Sequence, residues 1–421
     1  MRYLTILFIS LGLSASVPAQ AQTWVDVFNP FQMLDLNLEI AQADWDTIRH
    51  DTTNEIEVPA LFWAVGEEDT KLLVSVRRKS SRALPSEADP IKVAYKVDIN
   101  EFVGGQRWRD LTKLSLENGA DTDPISEGLA WNLHEMATGT GFYPSDYHAG
   151  LAAWVRLFIN GQYIGVYINV EERDSQFLRN RALPRGTTAE GVRQSWLYEI
   201  DDLGAGSFEL EDGDLPHGPT WTALCYAPFT VGTKQARACP TPDDATLATD
   251  LPNVIDMSSM LTQGAVDAFS SNGDALFTHG KNFRHIDFNT NLFPERKRLY
   301  LMWDLDAAIT DITANIYAKK ARKGISQTEY QRVILNHPAF RTQYNAIMTG
   351  LLDGPLSEAA LHGFLDGAEA VVALALAEDP YAGFGSGEAV SAHFAGLRGW
   401  VSQRIVNVKG QVQANQPPPR P

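Results

Sequence analysis

Val155-Arg156-Leu157-Phe158-Ile159-Asn160-Gly161-Gln162-Tyr163-Ile164-Gly165-Val166-Tyr167-Ile168 reads as two strands joined at Asn160-Gly161. Asn-Gly is the pair whose positive φ angles match the twist of the strands on either side, so this stretch is a β-hairpin. Toward the N-terminus, apolar and polar residues alternate from Met33 to Glu39, at Leu72 to Val76 and at Tyr95 to Ile99, the period of half-buried strands. The first third of the chain is therefore sheet-rich. Between these strands and the hairpin, Asp123-Pro124 starts a helix, with Asp as N-cap and Pro at the first helical position. Ile125, Leu129, Leu133 and Met136 line one face of it, and it ends near Gly139 and Gly141.

Toward the C-terminus, the stretch from Asp201 to Pro252 turns acidic and rich in Gly and Pro, and reads as an insertion on the surface. A helical pattern from Val254 to Phe269 stops at Asn272-Gly273 and leaves Asp274 just past its end. Two apolar runs follow, Asn282 to Phe288 and Arg298 to Trp303, the second delivering Asp304-Leu305-Asp306. Beyond Gln331 the chain is largely helical, with Ala-rich segments at 357–378 and 388–408 and a Gly383-to-Gly387 loop between them. The end, 411–421, carries Pro417-Pro418-Pro419 and reads as a disordered tail.

Arg2, the apolar run from Leu4 to Leu13 and Ala19-Gln20-Ala21 form a signal peptide at 1–21, so the mature chain begins at Gln22. The run is shorter than the roughly 20 residues of a spanning helix, and no later stretch reads as long and apolar enough, so no membrane anchor is expected to be retained. A formal net charge of −17 with only short basic runs argues against nucleic acid, whose backbone needs clustered Lys and Arg. Cys225 and Cys239 are the two cysteines. In an exported chain such a pair closes a disulfide loop, and without histidines at ligand spacing it does not suggest zinc.

The chemistry concentrates in acids. Asp274 follows a helix stop, Asn282 stands at a strand start, and Asp304 and Asp306 alternate at a strand end, where their carboxylates can converge on one hard cation. Helix capping and turn formation are the alternative uses of the same residues. Lys92 and Lys96 lie on a strand, Glu127 in the first turn of a helix and Glu171 just past a strand. A strand lysine paired with a glutamate and reaching phosphates is the arrangement of phosphoryl transfer, although Glu127 also suits the helix dipole alone. The metalloprotease, P-loop and nucleophile-elbow motifs are absent from the sequence.

Ile99 to Phe102, Leu111 to Asn118 and Asp123-Pro124; then Phe158 to Asp174, with its Asn-Gly-x-Tyr-x-Gly-x-Tyr hairpin; then Asn272-Gly273-Asp274, Lys281-Asn282-Phe283 and Met302 to Asp306 form a series of blocks. Together they resemble the CotH family of secreted, atypical kinase-like proteins. The resemblance runs over roughly 33–405 in the family's order. It implies an α+β, two-lobed, atypical protein-kinase-like fold, sheet-rich in its N-terminal part and mostly helical in its C-terminal part. The organisation expected is a signal peptide at 1–21, a kinase-like domain at 22–410 with its Cys-bearing insertion at about 201–252, and the tail.

The resemblance further implies transfer of the ATP γ-phosphate, with Mg²⁺ or Mn²⁺, to Ser or Thr of secreted or cell-envelope proteins, in a secreted or periplasmic protein. Asp306 with Asp304 would hold the metal, assisted by Asn282, and Asp274 would orient the acceptor hydroxyl. Lys92 or Lys96 would meet the phosphates, with Glu171 or Glu127 in support. The family's phosphate-facing loop corresponds to Arg77-Arg78-Lys79-Ser80-Ser81-Arg82, shorter here and without glycine, so Lys79 and Arg82 are the expected nucleotide contacts there. A non-catalytic protein that keeps the fold for binding is the rival reading, and a metal-dependent hydrolase a weaker third.

Overall fold

The computed structural model describes residues 23–414 apart from 87, 122, 140–148, 203–206, 213–248, 250, 318–333 and 336. The signal peptide expected at 1–21, Cys225, Cys239 and residues 415–421 lie outside the described residues.

β1 (Leu34–Ile40), β2 (Glu57–Ala64), β3 (Leu72–Ser86), β4 (Asp89–Asp98), β5 (Lys113–Glu117), β6 (Ala152–Ile159) and β7 (Gln162–Val170) close into a barrel in the order β1-β2-β3-β4-β5-β7-β6. Closure comes from parallel pairing of β6 with β1, Leu34 opposite Val155 and Leu38 opposite Ile159. Every other neighbouring pair is antiparallel. Alternate side chains point inward, so Leu36, Val76, Val93, Tyr95, Val97, Leu116 and Leu157 fill the interior. Trp45, on α1 (Gln42–Arg49), donates its indole N–H to the Tyr95 hydroxyl at 3.0 Å. The Asn-Gly turn has φ of 51° at Asn160 and 77° at Gly161. Its Asn160 Oδ1 accepts the Ile40 N–H at 2.8 Å, which ties the hairpin to β1.

Outward-facing Trp154, Val166, Ile168 and Val170 join a second core with α2 (Pro124–Ala137). The α2 start is as the sequence suggests: the Asp123 carboxylate accepts the backbone N–H groups of Ile125 and Ser126 at 2.8 Å each. α3 (Ser175–Asn180) follows the hairpin. A four-stranded sheet comes next, made of β8 (Ser195–Asp202), β9 (Ser207–Asp212), β10 (Lys281–Phe288) and β11 (Leu299–Met302) in the order β11-β10-β8-β9. Further α-helices among the described residues include α4 (Met257–Phe269), α5 (Pro338–Asp353), α6 (Glu358–Glu378) and α7 (Gly387–Ala414).

The sheet-rich N-terminal part and the helix-rich C-terminal part agree with expectation, and four features correct it. The N-terminal sheet is a closed barrel, which the two-lobed kinase-like expectation did not contain; the closing β1–β6 contact spans residues too far apart for local periodicity to show it. The expected insertion at 201–252 contributes the end of β8 and all of β9 to a sheet. α6 is long and apolar enough, by length and composition, to cross a membrane, contrary to the expectation that no stretch after residue 21 is. Here its Leu361, Phe364, Leu365, Val372 and Leu376 pack into the second core. α7 also passes the expected boundary at 410, and Gln411 donates to Ala314 O at 3.1 Å.

Arg404 of α7, fully buried, fixes the end of α4. Its guanidinium donates to Phe269 O at 2.9 Å and Ala268 O at 2.6 Å, and to Ile312 O and Ala314 O at 2.8 and 2.7 Å. The first two are carbonyls of the last turn of α4, where a helix C-terminus leaves acceptors to be satisfied from outside. The Asn272-Gly273-Asp274 turn thus departs from an anchored point.

Candidate active site

A cavity of about 380 Å³ opens where the outer face of β3, β4 and β5 meets α2, β10 and the segment after β11. Asn282, Asp304, Asp306, Lys79, Lys96 and Glu127 all line it. Six of the residues that the sequence singled out are therefore neighbours in space.

The antiparallel register of β10 with β11, Phe283 opposite Met302, sets Asn282 beside the end of β11. Asn282 Nδ2 donates to Asp304 Oδ2 at 3.1 Å. Both residues have left-handed backbone, φ 51° and 50°, a conformation that costs L-residues roughly 1–2 kcal/mol and that Asn and Asp tolerate best. Trp303, which follows the last residue of β11, packs edge-on against Trp131 of α2 with ring centroids 6.0 Å apart. Lys79 Nζ lies 4.7 Å and the Arg284 guanidinium 4.1 Å from the Trp303 ring centroid.

Charges in the cavity are divided. Lys79 pairs with Glu117 and donates to Ser115 Oγ at 2.7 Å. Lys96 pairs with Glu172 at 3.3 Å, and Arg284 pairs with Glu199. Burial would raise the Glu172 carboxyl, but Lys96, Lys79 and Arg284 around it bring it down to about 2. Burial of Lys79 is likewise outweighed by Glu117 and Glu172, so its ammonium is held above its ordinary range.

The other carboxylates outnumber the cations near them. Burial, then the charges of Asp306 and Glu117, push Asp304 up to about 7. Burial, then Asp121 and Asp274, push Asp306 up to about 6. Glu127 is raised well above the carboxylate range by burial and by Glu117, Asp304 and Asp306. A site with this excess of clustered negative charge is arranged to receive a cation.

Four sequence candidates are placed elsewhere. Lys92 is fully buried and pairs with Asp379 at 2.7 Å, beyond the end of α6. Asp379 reaches the barrel because Gly165 has no side chain: a Cβ there would lie 2.4 Å from Asp379 Oδ2. Asp379 also accepts the N–H groups of Val166, Tyr381 and Ala382 at 2.7, 2.8 and 3.0 Å. Lys92 therefore joins barrel to helices and does not meet the cavity. Glu171 is held by Arg181 at 2.6 Å on the far side of the chain from Glu172. Arg82 is exposed at the rim, where it pairs with Asp121 at 3.1 Å. Asp274 lines no part of the cavity: His279 Nδ1 lies 2.6 Å from its Oδ1 and Lys281 Nζ 3.5 Å from its Oδ2. These two partners overcome its burial and hold its carboxyl below the usual range.

The expected loop at 77–82 is also corrected, since β3 runs through it with a register shift between Arg78 and Ala83. Lys79 reaches the cavity from that irregular strand.

Glu117, Asp121, Glu172, Arg284 and Trp131 belong to the cavity and were not singled out in the sequence. For Glu117 a signal existed: on β5, Ser115 and Glu117 alternate with inward Leu114 and Leu116. Glu172 lies past the end of β7, where alternation no longer assigns a face.

Residues 85–408 match a family model of kinases, the one described as CotH kinase protein. The chain belongs to the CotH family, and a kinase-like function in general comes with that membership. No curated protein matches it.

Proposed function

We propose that this chain is an atypical protein kinase that uses ATP and Mg²⁺ or Mn²⁺ to phosphorylate Ser or Thr of secreted or cell-envelope proteins, after export directed by residues 1–21. The observation that carries this reading is the meeting of Asn282, Asp304 and Asp306 with Lys79 and Lys96 in one cavity.

The donor set fits the metal. All are hard oxygens, as Mg²⁺ requires, and their mutual repulsion is what a dication relieves. Among the described residues no three His, Cys, Asp or Glu side chains form a ready metal cage; an ion held by these acids would share its coordination with phosphates. Asp304 and Asp306 would hold it, with Asn282 fixing Asp304. When bound it neutralises charge on the transferring phosphoryl group.

Lys79 and Lys96, each tied to a glutamate, are placed to meet phosphate oxygens, with Arg77 on the same wall. Asp274 acts from the side of the cavity where its charge is felt at Asp306. To orient an acceptor hydroxyl it would exchange its contact with Lys281 for one with substrate.

The glycine-free strand at 77–82 and the engaged Asp274 favour the second reading, a kinase-like binding protein without turnover. Thermal stabilisation by Mg-ATP, together with phosphate transfer to a Ser-rich protein for wild type and Asp274→Asn, separates the two. The kinase reading expects stabilisation in both proteins and transfer in wild type only. Absence of both effects in folded wild type leaves the second reading.

A further inference from the structure

A second cavity, of about 260 Å³, opens between the C-terminal half of α4 and the segment after β11, and shares no lining residue with the first. Ala268, Ala275, Phe277, Ile316 and Leu335 give it an apolar wall. Among the described residues no Lys, Arg or His side chain lines it. Asp267, on α4 and only 4% exposed, does.

Asp267 is poorly satisfied where it stands. Both of its side-chain contacts fall on one oxygen: Asn272 Nδ2 donates to Oδ1 at a long 3.4 Å, and His134 Nε2 lies 3.3 Å from the same atom without hydrogen-bond geometry. Among the described residues nothing donates to Oδ2. Arg404, beside the same end of α4, gives its donors to backbone carbonyls and to Asn407. Buried carboxylates are normally paired with a cation or surrounded by donors. This one borders a cavity instead.

The combination restricts the occupant. Thr278 and Thr310 turn their hydroxyls to Ala275 and Ser271, so Asp267 is the strong acceptor left to a ligand. Mg²⁺ or Ca²⁺ requires six or more oxygen ligands, which an apolar wall does not supply. An anion would be repelled by Asp267 and Asp311, with no cation on the wall to offset them. A neutral apolar molecule would leave the carboxylate without a donor. An alkylammonium group brings three donors and a positive charge, and its stem can lie along the apolar wall. The stem is short, because the cavity is smaller than the roughly 300–1,000 Å³ of drug-sized sites.

We infer that this cavity is a binding site for a protonated amine on a short apolar stem, with the ammonium against Asp267. A free alkylamine and a lysine side chain of another polypeptide carry the same chemistry. The occupant would lie against Asn272 and Gly273, and Asn272 Oδ1 accepts the Asp274 N–H at 3.0 Å, so the site adjoins the turn that carries Asp274. It does not depend on the nucleotide reading.

The test is isothermal titration at about pH 7, where an alkylamine is protonated. The probes are n-butylamine, n-butanol and the peptide acetyl-Gly-Lys-Gly-amide, added to wild type, Asp267→Asn and Ala314→Phe, with Mg²⁺ present to occupy the acids of the first cavity. A hydrogen bond to a charged group changes affinity by a factor of about ten or more, so wild type should bind n-butylamine about tenfold or more tightly than n-butanol. Asp267→Asn, nearly isosteric, should bind the two equally. Ala314→Phe fills the cavity from its wall and leaves the charge in place; it should lose both, and it carries the test should the Asn variant lose structure. Peptide binding that depends on Asp267 assigns the site to a lysine side chain, and n-butylamine binding without peptide binding assigns it to a free amine. Equal binding of amine and alcohol by folded wild type, a preference that survives in either variant, or no saturable binding of the amine overturns the site. None of these results touches the nucleotide reading, which rests on the other cavity.

Discussion

Lys92 and Lys96 stand on one strand, four residues apart and on the same outward face, opposite in sense to inward Val93, Tyr95 and Val97. About 13 Å of strand separates them, and their environments differ in kind. Around Lys92, one ammonium meets one carboxylate, both fully buried, and Asp379 has its remaining lone pairs filled by backbone N–H groups. Around Lys96, cations and acids share a cavity in which Asp304, Asp306 and Glu127 are all raised. A closed, balanced pair joins two parts of the fold, whereas an open cluster with surplus charge is poised for a ligand. Residue type alone does not separate the two roles, and charge balance does.

Replacing the lysines separates them most sharply. Lys92→Met leaves a buried Asp379 carboxylate with no cation, a change that costs about 3–5 kcal/mol. Lys96→Met should cost much less, because Lys96 is itself partly exposed and its partner Glu172 keeps Lys79 and Arg284 nearby, and should instead weaken nucleotide binding. Urea unfolding of both variants beside Mg-ATP titration checks this; equal losses of stability would erase the distinction between the two ends of β4.

The surplus of acid also sets a pH dependence. Asp304 and Asp306 have folded values near 7 and 6 against 3.8 in an unfolded chain. Between about pH 4 and 7 the folded protein therefore holds more protons than the unfolded one, and their contribution to stability falls as pH rises through that window. Asp304→Asn should flatten the fall, and added Mg²⁺ should oppose it most above pH 7, where the carboxylates are ionised. Unfolding curves at pH 5 and 8, with and without Mg²⁺, give the comparison. Parallel profiles for wild type and Asp304→Asn would count against the clustered charge.

Much of the architecture was legible because it is local. Alternation located β1, β4 and the hairpin, Asp123-Pro124 located α2, and the end of β11 located Asp304 and Asp306. What was not legible is set by long-range contact. Barrel closure pairs residue 34 with residue 155. The fate of Lys92 depends on Asp379 and on the missing side chain of Gly165. Glu171 and Glu172 differ by one position past a strand end, where only the folded chain shows which one faces the cavity. Two motif residues were found by pattern and placed otherwise by packing: Asp274 is engaged by His279 and Lys281, and Arg82 is on the rim.

A smaller effect tests whether α2 belongs to the site or only to the core. Asp123→Ala removes the N-cap of the helix that carries Glu127 and Trp131, a loss of about 1 kcal/mol. His393, whose imidazole is raised by its bond to Asp123, loses that partner as well. Nucleotide affinity should fall only slightly, as a shift of the melting temperature and a titration would show. A loss as large as that for Lys92→Met would make the start of α2 a structural joint.

The central claim is that the Asn282–Asp304–Asp306 cluster and the two lysines form one site for a metal-bound nucleotide. Asp306→Asn is nearly isosteric, keeps the fold and removes one of the charges that would hold the dication. Titration of Mg-ATP into wild type and Asp306→Asn, with γ-phosphate transfer followed in the same samples, tests it directly. The expected result is saturable, Mg²⁺-dependent binding in wild type that weakens in the variant, with transfer reduced by at least about a hundredfold, the scale of losing one preorganised electrostatic contact in a transition state. Identical binding and transfer in the two proteins, or binding that ignores Mg²⁺, would contradict it.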